Sequence, residues 1–321
     1  MSVTVTVFEP SGARSLTVAE LPAALAQANL VWVDIEAPSH AEIDLMQHVF
    51  HFHPLAVEDS IHNETRAKLE QYADHLFIVI NPLTHDPDHN CIELRELDIF
   101  IGKNYVVTVH PAPEPLLAEA RSRFMDMRKG ISPSSGVLLH TLLDVVVDSY
   151  FPLVEDAVDA IEAVEDKLLD DRTPPITEEL VQLKRMMRNL SRVVWPTQTV
   201  MTYIANHYHM LDGEQLEYYF RDVQDHLLRL AEIIANLREN LTSLLDLHMS
   251  ATSNRLNKVV NRLTIITLAI GALSVLTGFY GMNFEQTWPP FNTPNGVLQV
   301  IGLMIAVELA FFGFLRLRKW L

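Results

Sequence analysis

The chain has a single cysteine, Cys91, among 321 residues. One thiol excludes an internal disulfide framework and any metal cluster built from cysteine alone, and it suits a reducing compartment. Positive charge is also scarce. The 24 Lys and Arg stand against 41 Asp and Glu, a formal net charge of −17. Phosphate backbones are held by basic surfaces, so nucleic acid is not expected as a partner. The opening residues, Met1 to Pro10, lack a basic start followed by an apolar run, so no cleavable signal peptide is expected. No nucleophile elbow, phosphate-binding loop, dinucleotide fingerprint or metalloprotease helix occurs, and an enzyme is not expected.

Charge is absent from one long stretch near the end. Leu263 to Tyr280 carries none and, at 1.5 Å per residue, would span about 27 Å, close to one hydrocarbon core. Val297 to Leu315 is similar, with the single acid Glu308. Two such segments could be buried core helices, but their flanks favour a lipid bilayer. Arg255, Lys258 and Arg262 precede the first, Arg316, Arg318 and Lys319 follow the second, and the link between them has no basic residue. The positive-inside rule then puts both termini in the cytoplasm of a multi-pass plasma-membrane protein and the link outside. Trp288 and Trp320 fall where aromatic anchors sit. From Arg255 onward the net charge is +4, which leaves −21 on the preceding residues. An acidic body of that kind attracts cations, although a merely solvated acidic surface reads the same way.

The pattern before the apolar end predicts an α+β cytoplasmic domain, with a sandwich-like α/β part followed by long helices, joined to a two-helix transmembrane domain. Val3 to Phe8 and Leu30 to Glu36 read as strands, and Gly102-Lys103-Asn104 as the turn of a hairpin. Residues 1–115 form the α/β domain, 116–216 an acidic helical region, 217–262 a stalk helix, 263–280 the first span, 281–296 the outer loop, 297–315 the second span and 316–321 a basic tail. Trp195-Pro196 is expected to interrupt the helical region. Val223, Leu227, Leu230, Ile234, Leu237, Leu241, Leu244 and His248 recur at alternating spacings of four and three, a heptad seam. No proline lies between Glu217 and Tyr280, so one helix of about 95 Å can run through, with a break near Ser250 to Asn254 as the alternative. The seam calls for partner helices from this chain or from other copies.

Two spans per chain cannot enclose a water-filled path, so a channel requires several chains. Asn257, Val260, Leu263, Thr267, Gly271, Ser274 and Gly278 recur mostly three or four apart. Small and polar residues in such a row either line a pore or let helices pack closely, and spacing alone does not choose. Asn283 in the outer loop would form a ring of carboxamides in a symmetric oligomer. Mg2+ dehydrates reluctantly, and neutral amide oxygens can hydrogen-bond its water shell without stripping it. Gly281 would permit a tight turn and a close backbone approach.

The stretch Tyr280 to Glu285, YGMNFE, resembles the signature of the CorA family of divalent-cation channels. HPLAVED (His53 to Asp59), ELDIFIGKNYVVTVH (Glu96 to His110), VDSYFPL (Val147 to Leu153), YFRDVQDH (Tyr219 to His226) and the terminal KWL resemble the family in the same order, over nearly the whole chain. The resemblance implies a funnel-shaped homopentamer that carries Mg2+, with Co2+ or Ni2+, inward across the inner membrane. On the matching positions Gly281, Met282 and Asn283 form the entry filter. Asn257, Val260, Leu263, Gly271 and Ser274 line the pore, with Val260 and Leu263 as a hydrophobic gate, and the row read above extends to Gly278. It also implies that cytoplasmic Mg2+ is sensed between subunits by Asp59 and Asp222, helped by Glu58 and Asp144. Such acids could equally be solvated or paired with Lys and Arg of their own chain.

The chain departs from the family in three places. Glycine at 271 replaces a larger residue. Glu285 is the loop's one acid, because Gln286 to Pro290 holds none. Glu308 sits inside a span, where an ionisable group is costly. The alternatives are a Zn2+ or Co2+ transporter of the same fold, proton-coupled in one version, and a membrane-anchored coiled-coil scaffold. The histidines of the α/β part, with His207 and His209, show no spacing that converges three or four ligands on one Zn2+.

Overall fold

Val31, Val33 and Ile35 alternate with Trp32 and Asp34 along one strand, and Trp32 is as fully buried as its apolar neighbours. Burial of Trp32 as well as of Val31, Val33 and Ile35 places this strand inside a sheet covered on both faces. The computed structural model describes residues 2–9, 12–27, 29–62, 66–86, 91–127, 131–169, 176–207, 211, 216–282, 287–289 and 293–318.

In chain order the elements begin β1 (Ser2–Glu9), β2 (Gly12–Leu16), a 3-10 turn (Val18–Glu20), α1 (Leu21–Leu25), β3 (Leu30–Glu36), α2 (His40–His48) and α3 (Pro54–His62). There follow β4 (Lys68–Gln71), β5 (Leu76–Ile80), β6 (Leu83–Asp86), β7 (Cys91–Leu94), β8 (Leu97–Ile101) and β9 (Tyr105–His110). The helices α4 (Pro115–Met127), α5 (Ser135–Asp148), α6 (Tyr150–Leu169), α7 (Thr177–His207), α8 (Leu216–Tyr280) and α9 (Gly296–Leu317) complete the chain. Two compact units result, Met1–Leu244 and Leu245–Leu321.

In the first unit seven strands pair in the order β2-β1-β3-β9-β8-β5-β4. β3 and β9 run parallel, with Asp34 opposite Thr108, and the other pairs are antiparallel. β8 and β9 form the expected hairpin. Glycine at 102 leaves room for the Tyr105 ring, which a Cβ there would meet. One face of the sheet packs on Met46, Phe50, Phe52 and Ala56 from α2, α3 and the segment between them. On the other face Phe124 of α4 meets Phe8 edge to face at 4.8 Å, and Arg121 lies over the Trp32 ring. Ser39 starts α2 with a capping box: its backbone N–H donates to Glu42 Oε2 at 2.8 Å.

The helical region is built by apolar stripes. α5 is buried along nearly its whole length, and although the stretch Ser135–Leu168 is long and apolar enough to cross a membrane, 72% of its apolar window is buried against protein. α7 continues through Pro196, contrary to the expected interruption. A proline inside a helix forfeits one backbone bond and costs about 3 kcal/mol. Here Leu190, Val193, Val194, Val200 and Met201 bury one face on both sides of it, enough to offset that loss. The heptad residues Val223 to Leu244 are all buried by their own chain. Tyr219 reaches His140 of α5, His226 reaches Phe151 of α6, and Arg238 lies over Trp195 of α7. The break considered near Ser250 to Asn254 does not occur, since α8 is one helix from Leu216 to Tyr280.

The second unit has the opposite character. Its two apolar helical windows, in α8 and α9, are each only 6% buried. Val275 is 73% and Leu298 70% exposed. Helices satisfy their own backbone groups, so apolar side chains left uncovered suit a lipid environment.

Candidate functional site

Two groups of residues carry the candidate chemistry. The first lies along the end of α8. Asn257, Val260, Leu263, Gly271, Ser274 and Gly278 are all at least partly exposed in the single chain. A Cβ built at Gly271 or Gly278 meets nothing within 4 Å. Among the described residues, the row therefore has no close packing partner within its own chain. At the helix end the Gly281 N–H donates to the Thr277 carbonyl at 2.9 Å and the Met282 N–H to the Phe279 carbonyl at 3.2 Å. A Cβ on Gly281 would stand 3.2 Å from the Thr277 carbonyl, so glycine serves clearance here, and no left-handed φ is involved. The Tyr280 hydroxyl donates to the Trp288 carbonyl at 2.6 Å and ties the segment around Trp288 to the helix end. Asn283 and Glu285 lie outside the described residues. Within α9, Glu308 Oε1 is buried and accepts no hydrogen bond among the described residues.

The second group is acidic and belongs to the first unit. Asp59 is on α3, one residue after the exposed Glu58. Lys68 Nζ approaches Asp59 Oδ2 at 2.5 Å and Glu70 Oε1 at 3.3 Å. The Tyr72 hydroxyl donates to Glu70 Oε2 at 2.6 Å. Burial, then the bond to Glu70, pushes the Tyr72 phenol up to about 12. Partial burial opposes the Lys68 charge, but the hydrogen bonds and charges of Asp59 and Glu70 outweigh it and hold its pKa above the ordinary lysine value.

Asp144 is on α5, where Arg123 Nη1 donates to Asp144 Oδ2 at 2.9 Å and to Asp148 Oδ2 at 2.6 Å. Arg123 Nη2 also donates to Glu119 Oε1 at 2.6 Å. Burial and the neighbouring Asp148 raise the Asp144 pKa, against the pull of His140 and Arg123. His140, one turn before Asp144, is only 6% exposed and packs edge-on against Tyr219. Burial lowers its pKa, while the charges of Asp144 and Asp222 work in the other direction. Asp222 is exposed on α8. Among the described residues, ligand atoms of Asp144, Asp148 and His226 lie within 4.8 Å of one another. That donor set suits a divalent cation, but Arg123 already pairs with both of its carboxylates.

The four sensor candidates are thus not one cluster in a single chain. Asp144 and Asp222 both act on His140, while Asp59 has Lys68 as its partner. Sequence patterns alone do not single out Lys68, Arg123, Asp148 or His226. The spacing His140, Asp144, Asp148 at four-residue steps puts these three on one helix face, and Asp222 and His226, four apart, share another, but only packing brings the two faces together.

An α+β domain followed by two long, uncovered apolar helices is the layout of a membrane protein. The CorA-like Mg2+ transporter protein family matches residues 27–319. The chain belongs to this family and is a membrane transporter of divalent cations. It is 30% identical over 297 residues to the cobalt/magnesium transport protein CorA of Thermotoga maritima, covering 90% of this chain and 83% of that one. Among solved structures, the complete CorA magnesium transporter of Methanocaldococcus jannaschii matches at a TM-score of 0.84 with 21% identity, covering 100% of this chain and 99% of the other. The full-length CmaX protein matches at a TM-score of 0.78 with 20% identity, covering 98% and 97%.

Proposed function

We propose that the chain forms a homopentameric channel for Mg2+ influx, with Co2+ or Ni2+ as further cargo, across the plasma membrane. The observation that carries this reading is the exposed row on α8 that leads without a break into Gly281 and Met282. Residues with no close contacts in their own chain face either lipid or other copies, and a row rich in glycine and polar side chains suits lipid poorly. In this reading Gly281, Met282 and Asn283 admit a hydrated cation, and Asn257 to Gly278 line its path. Val260 and Leu263 are the narrow apolar gate, which blocks ions by excluding water. Residues 1–115, 116–216 and 217–262 are cytoplasmic, 263–280 and 297–315 span the bilayer, 281–296 face outward, and the tail 316–321 returns to the cytoplasm.

Cytoplasmic Mg2+ closes the channel in this reading. Asp59 of one copy meets Asp222 of a neighbour, with Glu58 and Asp144 nearby, and facing carboxylates repel until a hard dication bridges them. The exposure of Glu58 and Asp222 supports a role between copies.

Mg2+ entry into liposomes loaded with an indicator dye tests the proposal, with Co2+, Ni2+ and Zn2+ alongside. Native protein conducts Mg2+ and Asn283→Ala does not. A well-folded oligomer that passes no divalent cation at low internal Mg2+ sinks the channel reading.

A further inference from the structure

Lys68 is the one described cation placed against Asp59. Its ammonium bridges Asp59 on α3 to Glu70 on β4, at 2.5 and 3.3 Å, and its nitrogen stands 5.6 Å from the centre of the Phe77 ring. Glu70 is itself held by the Tyr72 hydroxyl. Tyr72 stacks between His53, at the start of α3, and His75. Lys68 is therefore aimed at Asp59 by a frame that ties β4 to α3. Both side chains keep access to solvent, 25% for Lys68 and 28% for Asp59.

We infer that Lys68 is a tethered competitor that sets the Mg2+ concentration at which Asp59 acts. The inference rests on the reading of Asp59 as a sensor between copies. Because Lys68 and Asp59 belong to one chain, their pair exists whether or not the copies are assembled in the closed arrangement. A dication that takes Asp59 must break or share that pair, and it must bear the ammonium charge a few ångströms away. The cost falls on the Mg2+-bound state alone and weakens apparent affinity. In the absence of Mg2+ the same pair neutralises Asp59 and relieves repulsion between copies. Lys68 thus blunts both ends of the response. It moves the closing concentration upward and keeps the empty ring from springing apart.

The test uses the full-length protein in detergent, with Mg2+ as the only added ligand. Protection from chymotrypsin, which does not cut at lysine, is followed against Mg2+ concentration. Lys68→Gln and Lys68→Ala are expected to reach half-protection at an Mg2+ concentration about two- to fivefold lower than native, the range open to a partly exposed ion pair. Both are also expected to show less protection than native with Mg2+ chelated. Lys68→Arg keeps the charge and returns the native midpoint. A purely structural lysine would lower the melting temperature in chelator without moving the Mg2+ midpoint, and that result overturns the inference. An upward shift overturns it as well. Asp59→Asn, run in parallel, separates the two levels. Unchanged Mg2+ protection in that variant removes both the sensor reading and the inference, while lost protection beside an unmoved Lys68→Gln midpoint removes the inference alone.

Discussion

The Arg123 guanidinium donates to Asp144 Oδ2 at 2.9 Å, so this acid already has a cation from its own chain. Two further carboxylates, Asp148 and Glu119, share that guanidinium at 2.6 Å each. Arg123→Gln leaves Asp144 and Asp148 facing each other without a counter-charge. Because Arg123 is 36% exposed, the loss without divalent cations is about 1 kcal/mol, discounted for solvent screening. Added Mg2+ or Co2+ then raises the melting temperature more in the variant than in native protein. Equal cation-induced stabilisation in the two proteins would show that the acids bind no ion even when freed.

The buried Tyr150 hydroxyl donates to the Asn81 carbonyl at 2.8 Å and fastens α6 to the strand region after β5. Tyr150→Phe keeps the ring and strands the carbonyl. Denaturant unfolding of the detergent-solubilised protein should show a loss of about 1–2 kcal/mol. A midpoint within error of native would mean that water reaches the carbonyl.

His110 gives the first unit a pH dependence. Its Nε2 lies 3.1 Å from Asp34 Oδ1 and its Nδ1 2.6 Å from the Ala112 carbonyl. Burial opposes its charge, but the bond to Asp34, the charge of Asp34 and the Ala112 carbonyl together raise its pKa above 6.5. A histidine whose folded-state pKa is raised adds stability that is fully present below its unfolded value and is lost as pH rises through the folded value. Melting temperature should therefore fall as pH climbs from about 6.5 toward 8, and His110→Gln should flatten that step. A native profile as flat as that of the variant would contradict the assignment.

Gly271 has open space beside it within its own chain, since no atom lies within 4 Å of the position a Cβ would take. If the α8 row lines a pore, Gly271→Leu narrows it. Oligomer and expression stay native, and Mg2+ flux into liposomes falls by about tenfold. Native flux from the variant would move position 271 to a lipid-facing or helix-contact role.

Glu308 is the one acid within the second apolar helix. On the passive-channel reading Glu308→Gln conducts Mg2+ as well as native protein, with or without a pH gradient. Loss of flux in a correctly assembled variant would point to proton coupling.

Much of this protein is written in local patterns. Strand alternation around Val31 to Ile35, the Gly102 turn, the heptad from Val223 to Leu244 and the two apolar segments each depend on neighbours a few residues apart, and periodicity reads such neighbours directly. The family signature from Tyr280 to Glu285 is equally local. Pro196 defeats local reasoning because its penalty is local while its compensation is tertiary: both flanks of α7 bury an apolar stripe against other elements.

Residue order is enough to specify an acidic α+β body, a two-span apolar end and membership in a family of divalent-cation transporters. The company each acid keeps is a matter of packing instead. Asp59 meets Lys68 nine residues away, from a helix to a strand, and Asp144 meets Arg123 across two helices. Asp148 and His226 converge from helices far apart in the chain. No spacing rule spans those separations, because a charge pair depends on where two elements pack and not on how many residues lie between them.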